Sequence, residues 1–167
     1  PAAIPVTMLA SCRALLAGSV LALAIWTTAA AAESGRRVAL VIGNAAYSEL
    51  PALPNPTADA RLLAHRLAAH GFTVTQALDL DPAAMRAALE GFETAAAGAD
   101  VALVYYSGHG VQVEGVNYLL PVSMRIDTRD GLATAAITLP DVLRTVERAG
   151  ATIGIVVLDA CRDNPLA

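Results

Sequence analysis

The sequence predicts an α/β fold in which a mainly parallel sheet is covered by helices on both faces. Two observations lead to this prediction. Short apolar runs end in glycine or in polar turns, and longer amphipathic segments lie between these runs. Apolar runs without alternation are typical of strands buried on both faces. Strands that alternate with helices favour a parallel sheet, because each helix carries the chain back across a face.

The first predicted strand is Arg37–Gly43, a continuous apolar run that ends in glycine. A loop follows, because three prolines between positions 51 and 56 interrupt any regular element. A helix then runs from about Ala58 to Ala69, where apolar residues recur at helical spacing. Either Asn55 or Thr57 can cap its start.

The middle of the chain continues the alternation of strands and helices. Phe72–Leu78 is the second predicted strand, and Asp81-Pro82 has the cap and first-position residues of a helix that extends to about Ala97. The elements predicted next are, in chain order, a third strand at Val101–Tyr106, a hairpin of Val111–Val113 with Tyr118–Leu120, a polar loop at Ser123–Ala136, a helix from Leu139 or Pro140 to about Arg148, and a fourth main strand at Ile153–Leu158.

Length and charge limit the classes of function. The chain has 167 residues, of which 56% are hydrophobic, which is enough for one domain with a substantial core. The formal net charge is −4, and all 11 basic residues are arginine. No basic run alternates with aromatic residues, so the composition disfavours nucleic-acid binding.

The first 32 residues have the pattern of a secretory signal peptide. Arg13 precedes an uncharged apolar run, and the alanines that follow it predict cleavage near Ala31 or Ala32. Met8 is the candidate start, which places residues 1–7 upstream of it. The prediction is an exported protein, periplasmic or secreted. The alternative is an uncleaved inner-membrane anchor, since the stretch from Ala14 is nearly long enough to span a bilayer.

Two strand ends carry the candidate catalytic residues. His109 lies between two glycines just after the third strand, and Cys161 lies two residues beyond Asp159 at the end of the fourth. Sites in parallel sheets form at the carboxyl ends of strands, so both side chains are expected at one edge. A cysteine nucleophile with a histidine proton donor is sufficient for a cysteine hydrolase. The backbone N–H groups of Gly110 and Cys161 are the expected oxyanion donors.

The other cysteine and histidines are assigned no site. Cys12 belongs to the leader, so Cys161 has no internal partner for a disulfide after export. The alternative for Cys161 is a small buried apolar residue. His65 and His70 have no companions at metal-ligand spacing and are predicted to lie on the surface.

The motifs Ser107-Gly108-His109-Gly110 and Asp159-Ala160-Cys161-Arg162 resemble those of the caspase-like peptidases, peptidase family C14, and particularly the metacaspase and bacterial caspase-domain branch. Cys161 follows His109 by 52 positions, and in caspases the separation is about 50. The resemblance covers Arg37–Ala167. It implies a caspase-like three-layer α/β/α sandwich over residues 37–167, a cysteine-type endopeptidase activity on proteins or peptides, and a domain incomplete at its C-terminal end.

The resemblance also bears on specificity and cofactors. Asp159 stands where caspases have glutamine and Asp163 where they have glycine, and an acidic residue beside the nucleophile implies cleavage after arginine or lysine, as in metacaspases. Asp59 resembles a second acidic pocket residue of that branch. The alternatives are a turn-capping carboxylate for Asp159 and a solvated one for Asp59. The sequence requires no cofactor, and calcium activation is implied by the resemblance alone.

Two other classes of function stay open at this point. One is a catalytically silent caspase-like interaction module at the cell envelope, which the expected lack of the final strands favours. The other is a flavodoxin-like ligand-binding domain, although no phosphate-cradling loop is present.

Overall fold

The computed structural model describes residues 35–124 and 129–160, with the side chains of 129 and 130 left out. The predicted leader, residues 1–32, and the predicted nucleophile Cys161 lie outside these ranges. Within them no helix is long and apolar enough to cross a membrane. The elements are β1 (Arg37–Gly43), α1 (Pro56–Ala69), β2 (Phe72–Leu78), α2 (Pro82–Ala96), β3 (Val101–Ser107), β4 (Gly110–Val113), β5 (Val116–Leu119), α3 (Arg129–Ala135), β6 (Ile137–Thr138), α4 (Leu139–Ala149) and β7 (Ile153–Asp159).

The main sheet has four parallel strands in the order β2-β1-β3-β7. Helix α1 packs on one face, and α2 and α4 pack on the other. This three-layer arrangement confirms the predicted α/β fold. A second, antiparallel sheet has the order β4-β5-β6 and contains the predicted hairpin.

Both faces of the central strands are buried, which accounts for their unbroken apolar sequences. Side chains of a strand alternate between faces, and here both sets meet helices. The α2/α4 face buries, among others, Val38, Leu40, Ile42, Val104, Tyr106, Met85 and Phe92. The α1 face buries Ala39, Val41, Leu103 and Tyr105 against Ala60 and Ala64.

Strand β7 is covered on one face only. Val156 and Leu158 pack against the α2/α4 layer. On the other face Ile153, Ile155 and Val157 are 53%, 36% and 42% exposed. Among the described strands β7 is also last in the sheet, so it is an edge strand with one apolar face open to solvent.

The strands of the main sheet end at residues that pair with one another. Gly43 pairs with Ser107, and Ser107 pairs with Asp159. Main-chain hydrogen bonds continue one residue further, from Asn44 N to Ser107 O at 2.9 Å and from Gly108 N to Asp159 O at 3.3 Å. The chain segments that leave β1, β3 and β7 consequently start side by side at one edge.

The loop predicted at Ser123–Ala136 is wrong for its described part, which contains helix α3 and leads into β6. Leu132 and Ala136, one helical turn apart, are 1% and 5% exposed and pack in the cluster that includes Val111. Tertiary packing of two apolar residues therefore stabilises a helix of seven residues, which is too short to be stable alone and gives little local signal.

Helix α2 is capped as predicted, whereas α1 is capped differently and α4 has a cap that was not predicted. The Asp81 side chain accepts a hydrogen bond from Ala84 N, as expected of an N-cap. Helix α1 begins at Pro56, and Asn55 caps it through its main-chain carbonyl, with no capping bond from its side chain. Helix α4 has a capping box, which the sequence analysis missed.

Gly43, at the end of β1, lets α1 approach the sheet closely. A Cβ atom at this position would lie 2.5 Å from Pro56 O and 2.7 Å from the Ala60 Cβ atom. We expect Gly43→Ala to lower the free energy of unfolding by about 1–3 kcal/mol, because the helix must move outward. Urea denaturation of the full chain measures this change.

The matched control is Gly91→Ala in α2, where a Cβ would meet nothing within 4 Å. We expect it to raise stability by about 0.5–1 kcal/mol, since alanine favours the helix more than glycine does. Equal effects of the two substitutions would contradict the close-approach explanation.

Candidate active site

An open cleft of about 430 Å³ lies at the carboxyl edge of the main sheet. Asp59 from α1 and Asp159 from β7 both line it, although they are 100 positions apart in sequence. The backbone at Gly108 and Ala160 forms another part of its wall. The structure therefore brings the two predicted pocket carboxylates into one cleft beside the candidate histidine.

Two hydroxyl groups contact the Asp159 carboxylate. Tyr105 Oη and Ser107 Oγ each donate to Asp159 Oδ2 at 3.4 Å. Burial raises the pKa of Tyr105, and the charges of Asp159 and Asp59 raise it further. Tyr105 therefore stays a neutral donor that orients Asp159 toward the cleft.

His109 lies in the short connection between β3 and β4, where it is half-buried. Its Nε2 atom lies 2.8 Å from the carbonyl oxygen of Pro51. A carbonyl oxygen can only accept, so Nε2 carries a proton in this contact, and in the neutral imidazole the lone pair is on Nδ1. The imidazole also packs edge-on against the ring of Tyr47, with centroids 4.5 Å apart.

The loop that provides the Pro51 carbonyl is anchored at its start. The fully buried Asn44 side chain donates from Nδ2 to Leu120 O at 3.1 Å. Asp79 Oδ1 accepts from the backbone N–H groups of Ala45 and Ala46, at 2.8 and 2.9 Å. These bonds attach the loop to the hairpin and to the end of β2, which limits its movement relative to His109.

The hairpin pairing defines the direction of the Gly110 N–H group. Leu120 N donates to His109 O at 3.1 Å, which makes these two residues a hydrogen-bonded pair. Gly110 pairs with Leu119 and is therefore in the next, non-hydrogen-bonded position. In that position the N–H group points away from β5, toward the outer edge of β4.

The site residues predicted from sequence have different outcomes. His109, Gly110, Asp59 and Asp159 lie around one edge of the sheet, whereas Cys161 lies outside the described residues. His65 and His70 are exposed, as predicted. In the described ranges no group of three or more histidine, cysteine or acidic residues is arranged to hold a metal ion.

Sequence reasoning missed Pro51 and Tyr47, which both contact the His109 imidazole. Pro51 acts through its main-chain carbonyl, which every residue type has, so its identity carries no signal. Tyr47 is an aromatic residue in a loop rich in small residues and proline. An aromatic residue in such a loop was the sequence signal that could have indicated a buried side chain next to His109.

Tyr106, the last core residue of β3, fixes the backbone on both sides of the hairpin. Its hydroxyl donates to His109 O at 2.6 Å and accepts from Leu120 N at 3.1 Å. Burial raises the pKa of Tyr106 well above its ordinary value of 10.0, so this donor stays protonated in neutral and mildly alkaline solution.

Comparisons with known proteins place the chain among caspase-like domains. The model of the caspase domain family matches residues 36–167. The human mucosa-associated lymphoid tissue lymphoma translocation protein 1 is 30% identical over 126 residues, and its mouse homologue is 29% identical. These matches cover 75% of this chain but 15% of each relative.

Among solved structures, protein GSU0716 from Geobacter sulfurreducens has the same fold, with a TM-score of 0.53 and 23% identity. The match covers 75% of this chain and 50% of that protein. At this identity the likeness bears on the fold alone.

The raised pKa of Tyr106 predicts a loss of stability in alkali. Its stabilisation is complete below the unfolded-state value near 10 and decreases as the pH rises above it, because folding then requires a proton to be bound. The chain has no lysine, so tyrosines dominate titration in this range. Urea unfolding between pH 7 and about pH 11 measures the effect.

Tyr106→Phe is the test variant. We expect it to cost about 0.5–1.5 kcal/mol at pH 8, because it removes the hydrogen bond from the buried Tyr106 hydroxyl to His109 O. We also expect its stability to fall less steeply above pH 10 than that of the wild type. Identical alkaline slopes in the two proteins would refute this explanation.

Proposed function

The chain belongs to the caspase domain family, and on that basis we propose that it is a cysteine endopeptidase that cleaves peptide bonds after arginine or lysine. Family membership supports a peptidase-type hydrolase acting on proteins. The chain spans 15% of the length of its curated relatives, so its substrates and the residues that act on them are part of the proposal.

In the proposed reaction the Cys161 sulfur attacks the carbonyl carbon of the scissile bond. A C–S bond forms, the C–N bond breaks, and His109 donates the proton that the leaving amine requires. Water then hydrolyses the thioester and regenerates the thiol. The hydrogen bond from His109 Nε2 to Pro51 O supports this role, because it leaves Nδ1 to exchange a proton with the thiol or the leaving group.

The oxyanion of the tetrahedral intermediate would be bound by the backbone N–H groups of Gly110 and Cys161. The orientation of the Gly110 N–H group, which points away from β5, supports its part in this role. Such donors stabilise the transition state because their positions are set before charge develops on the substrate oxygen.

The shared cleft of Asp59 and Asp159 is the observation that best supports specificity for basic residues. Both side chains are exposed to solvent in the cleft, so an entering guanidinium or ammonium group can reach them. Arginine pairs with carboxylates through two parallel N–H···O bonds, which lysine cannot do. We therefore expect arginine to be preferred over lysine, and aspartate to be rejected by charge repulsion.

The test is an assay of the full-length protein with peptide substrates that differ only in having arginine, lysine or aspartate before the scissile bond. We expect cleavage after arginine and lysine, and loss of activity in Cys161→Ala and His109→Ala. Cleavage after aspartate alone would refute the specificity, and an active Cys161→Ala protein would refute the nucleophile assignment.

Asp159→Asn and Asp59→Asn test the pocket directly. We expect each to lower kcat/KM for the arginine substrate by about tenfold or more, since a hydrogen bond to a charged group contributes about 1.5–3 kcal/mol. Glu147→Gln, an exposed carboxylate on α4, is the control for loss of one negative charge. An equal loss with Glu147→Gln would indicate general electrostatic attraction rather than a pocket.

The catalytically silent interaction module has no observation in its favour among the described residues. A thiol-reactive peptide probe with arginine at the reactive end distinguishes the two functions. Labelling of Cys161 that depends on His109 supports the peptidase, whereas the silent module predicts no labelling.

A further inference from the structure

We propose that the Tyr47 hydroxyl bridges His109 N and Leu120 O beside the β4–β5 hairpin, and that this bridge sets the position of His109. We call the bridging hydroxyl the spacer. Tyr47 is thus a positioning residue for the imidazole. The kinetic consequence of this inference rests on the proposed function. The hydrogen bonds of the spacer do not depend on that function.

The spacer replaces one main-chain hydrogen bond. In a regular antiparallel pair, His109 and Leu120 would exchange two direct N–H···O bonds. One of them is present, from Leu120 N to His109 O at 3.1 Å. In place of the other, His109 N donates to Tyr47 Oη at 2.8 Å, and Tyr47 Oη donates to Leu120 O at 3.1 Å.

The available protons are consistent with this assignment. Tyr47 and Tyr106 each have one hydroxyl proton, and their oxygens lie 3.2 Å apart. Tyr106 makes its shortest bond to His109 O, at 2.6 Å. Tyr47 can therefore direct its own proton to Leu120 O, and both backbone groups of His109 are bound by a tyrosine hydroxyl.

Gly108 leaves the space that the two hydroxyls occupy. A Cβ atom at Gly108 would lie 2.6 Å from Tyr47 Oη and 2.7 Å from Tyr106 Oη. Any side chain at this position would displace both oxygens. The glycine before the histidine is therefore explained by the spacer itself as well as by access for a substrate.

Loss of the Tyr47 hydroxyl has two possible structural results. Either His109 N loses its partner while Leu120 O keeps its bond from Asn44 Nδ2, or the strands close until His109 N and Leu120 O bond directly at about 2.9 Å. Closure would shift His109 from the position in which its Nε2 atom bonds Pro51 O. In both cases the His109 backbone loses the bond to the Tyr47 hydroxyl that fixes its position, although a phenylalanine ring can still pack against the imidazole.

Burial raises the pKa of Tyr47, so the spacer is protonated and can act as donor and acceptor throughout the neutral range. The bridge is therefore present at any pH at which a cysteine peptidase would be assayed.

The kinetic test compares Tyr47→Phe with Tyr118→Phe in the full-length protein. Tyr118 is half-buried in β5, so its substitution also removes one tyrosine hydroxyl near the hairpin but leaves the Tyr47 bridge in place. We expect Tyr47→Phe to lower kcat by about ten- to a hundredfold with KM changed less than about twofold, because misplacing a catalytic group by about 1 Å has effects of this size. Tyr118→Phe should leave both constants close to wild type.

The structural test does not require activity. In a Cys161→Ala protein with His65→Gln and His70→Gln, His109 is the one histidine left in the 167-residue sequence, and nitrogen–proton correlation spectra report which of its ring nitrogens is protonated. We expect the Nε2–H form with Tyr47 present, and a mixture of both forms in Tyr47→Phe. Gly108→Ala, which displaces the same hydroxyl from the other side, should produce a similar mixture.

The two tests separate this inference from the proposed function. An inactive wild-type protein whose tautomer still depends on Tyr47 would refute the peptidase and support the spacer. A Tyr47→Phe protein with a lower melting temperature but unchanged kcat, pH profile and tautomer would refute the spacer, because a merely structural role predicts that result.

Discussion

The common register of three parallel strands is the constraint on which the candidate site depends. Strands β1, β3 and β7 end together at Gly43, Ser107 and Asp159. The register is strongly specified, because a slip of one residue would turn every core side chain of a strand to the opposite face. The same apolar packing that stabilises the sheet therefore determines which residues meet at its carboxyl edge.

Beyond the strand ends, hydrogen bonds from side chains hold the backbone in place. Asn44 and Asp79 attach the loop that contains Pro51, and two tyrosine hydroxyls complete the hairpin next to His109. Asn44 and the two tyrosines are buried, where an unpaired polar atom costs about 1–3 kcal/mol. Their geometry is consequently held by the penalty for leaving any of them unsatisfied, which favours one position of the imidazole over others.

The sequence was sufficient for the features that depend on local pattern. Unbroken apolar runs predicted three of the four main strands, β1, β3 and β7, and Asp81-Pro82 predicted the start of α2. The short helix α3 was missed because its stability comes from distant packing partners of Leu132. The contact between His109 and Pro51 was also missed, since it depends on a backbone carbonyl. The shared cleft of Asp59 and Asp159 was expected from family resemblance alone, because no local pattern relates residues on separate elements.

The solvent-facing side of β7 has a practical consequence for work on this protein. The stretch Ile153–Leu158 contains neither charge nor proline, and no described strand pairs with its outer edge. Such an edge is a template onto which strands of other molecules can add, and aliphatic residues on its open face favour that addition. Concentrated samples in which this edge is uncovered are therefore prone to aggregate through intermolecular β-sheet.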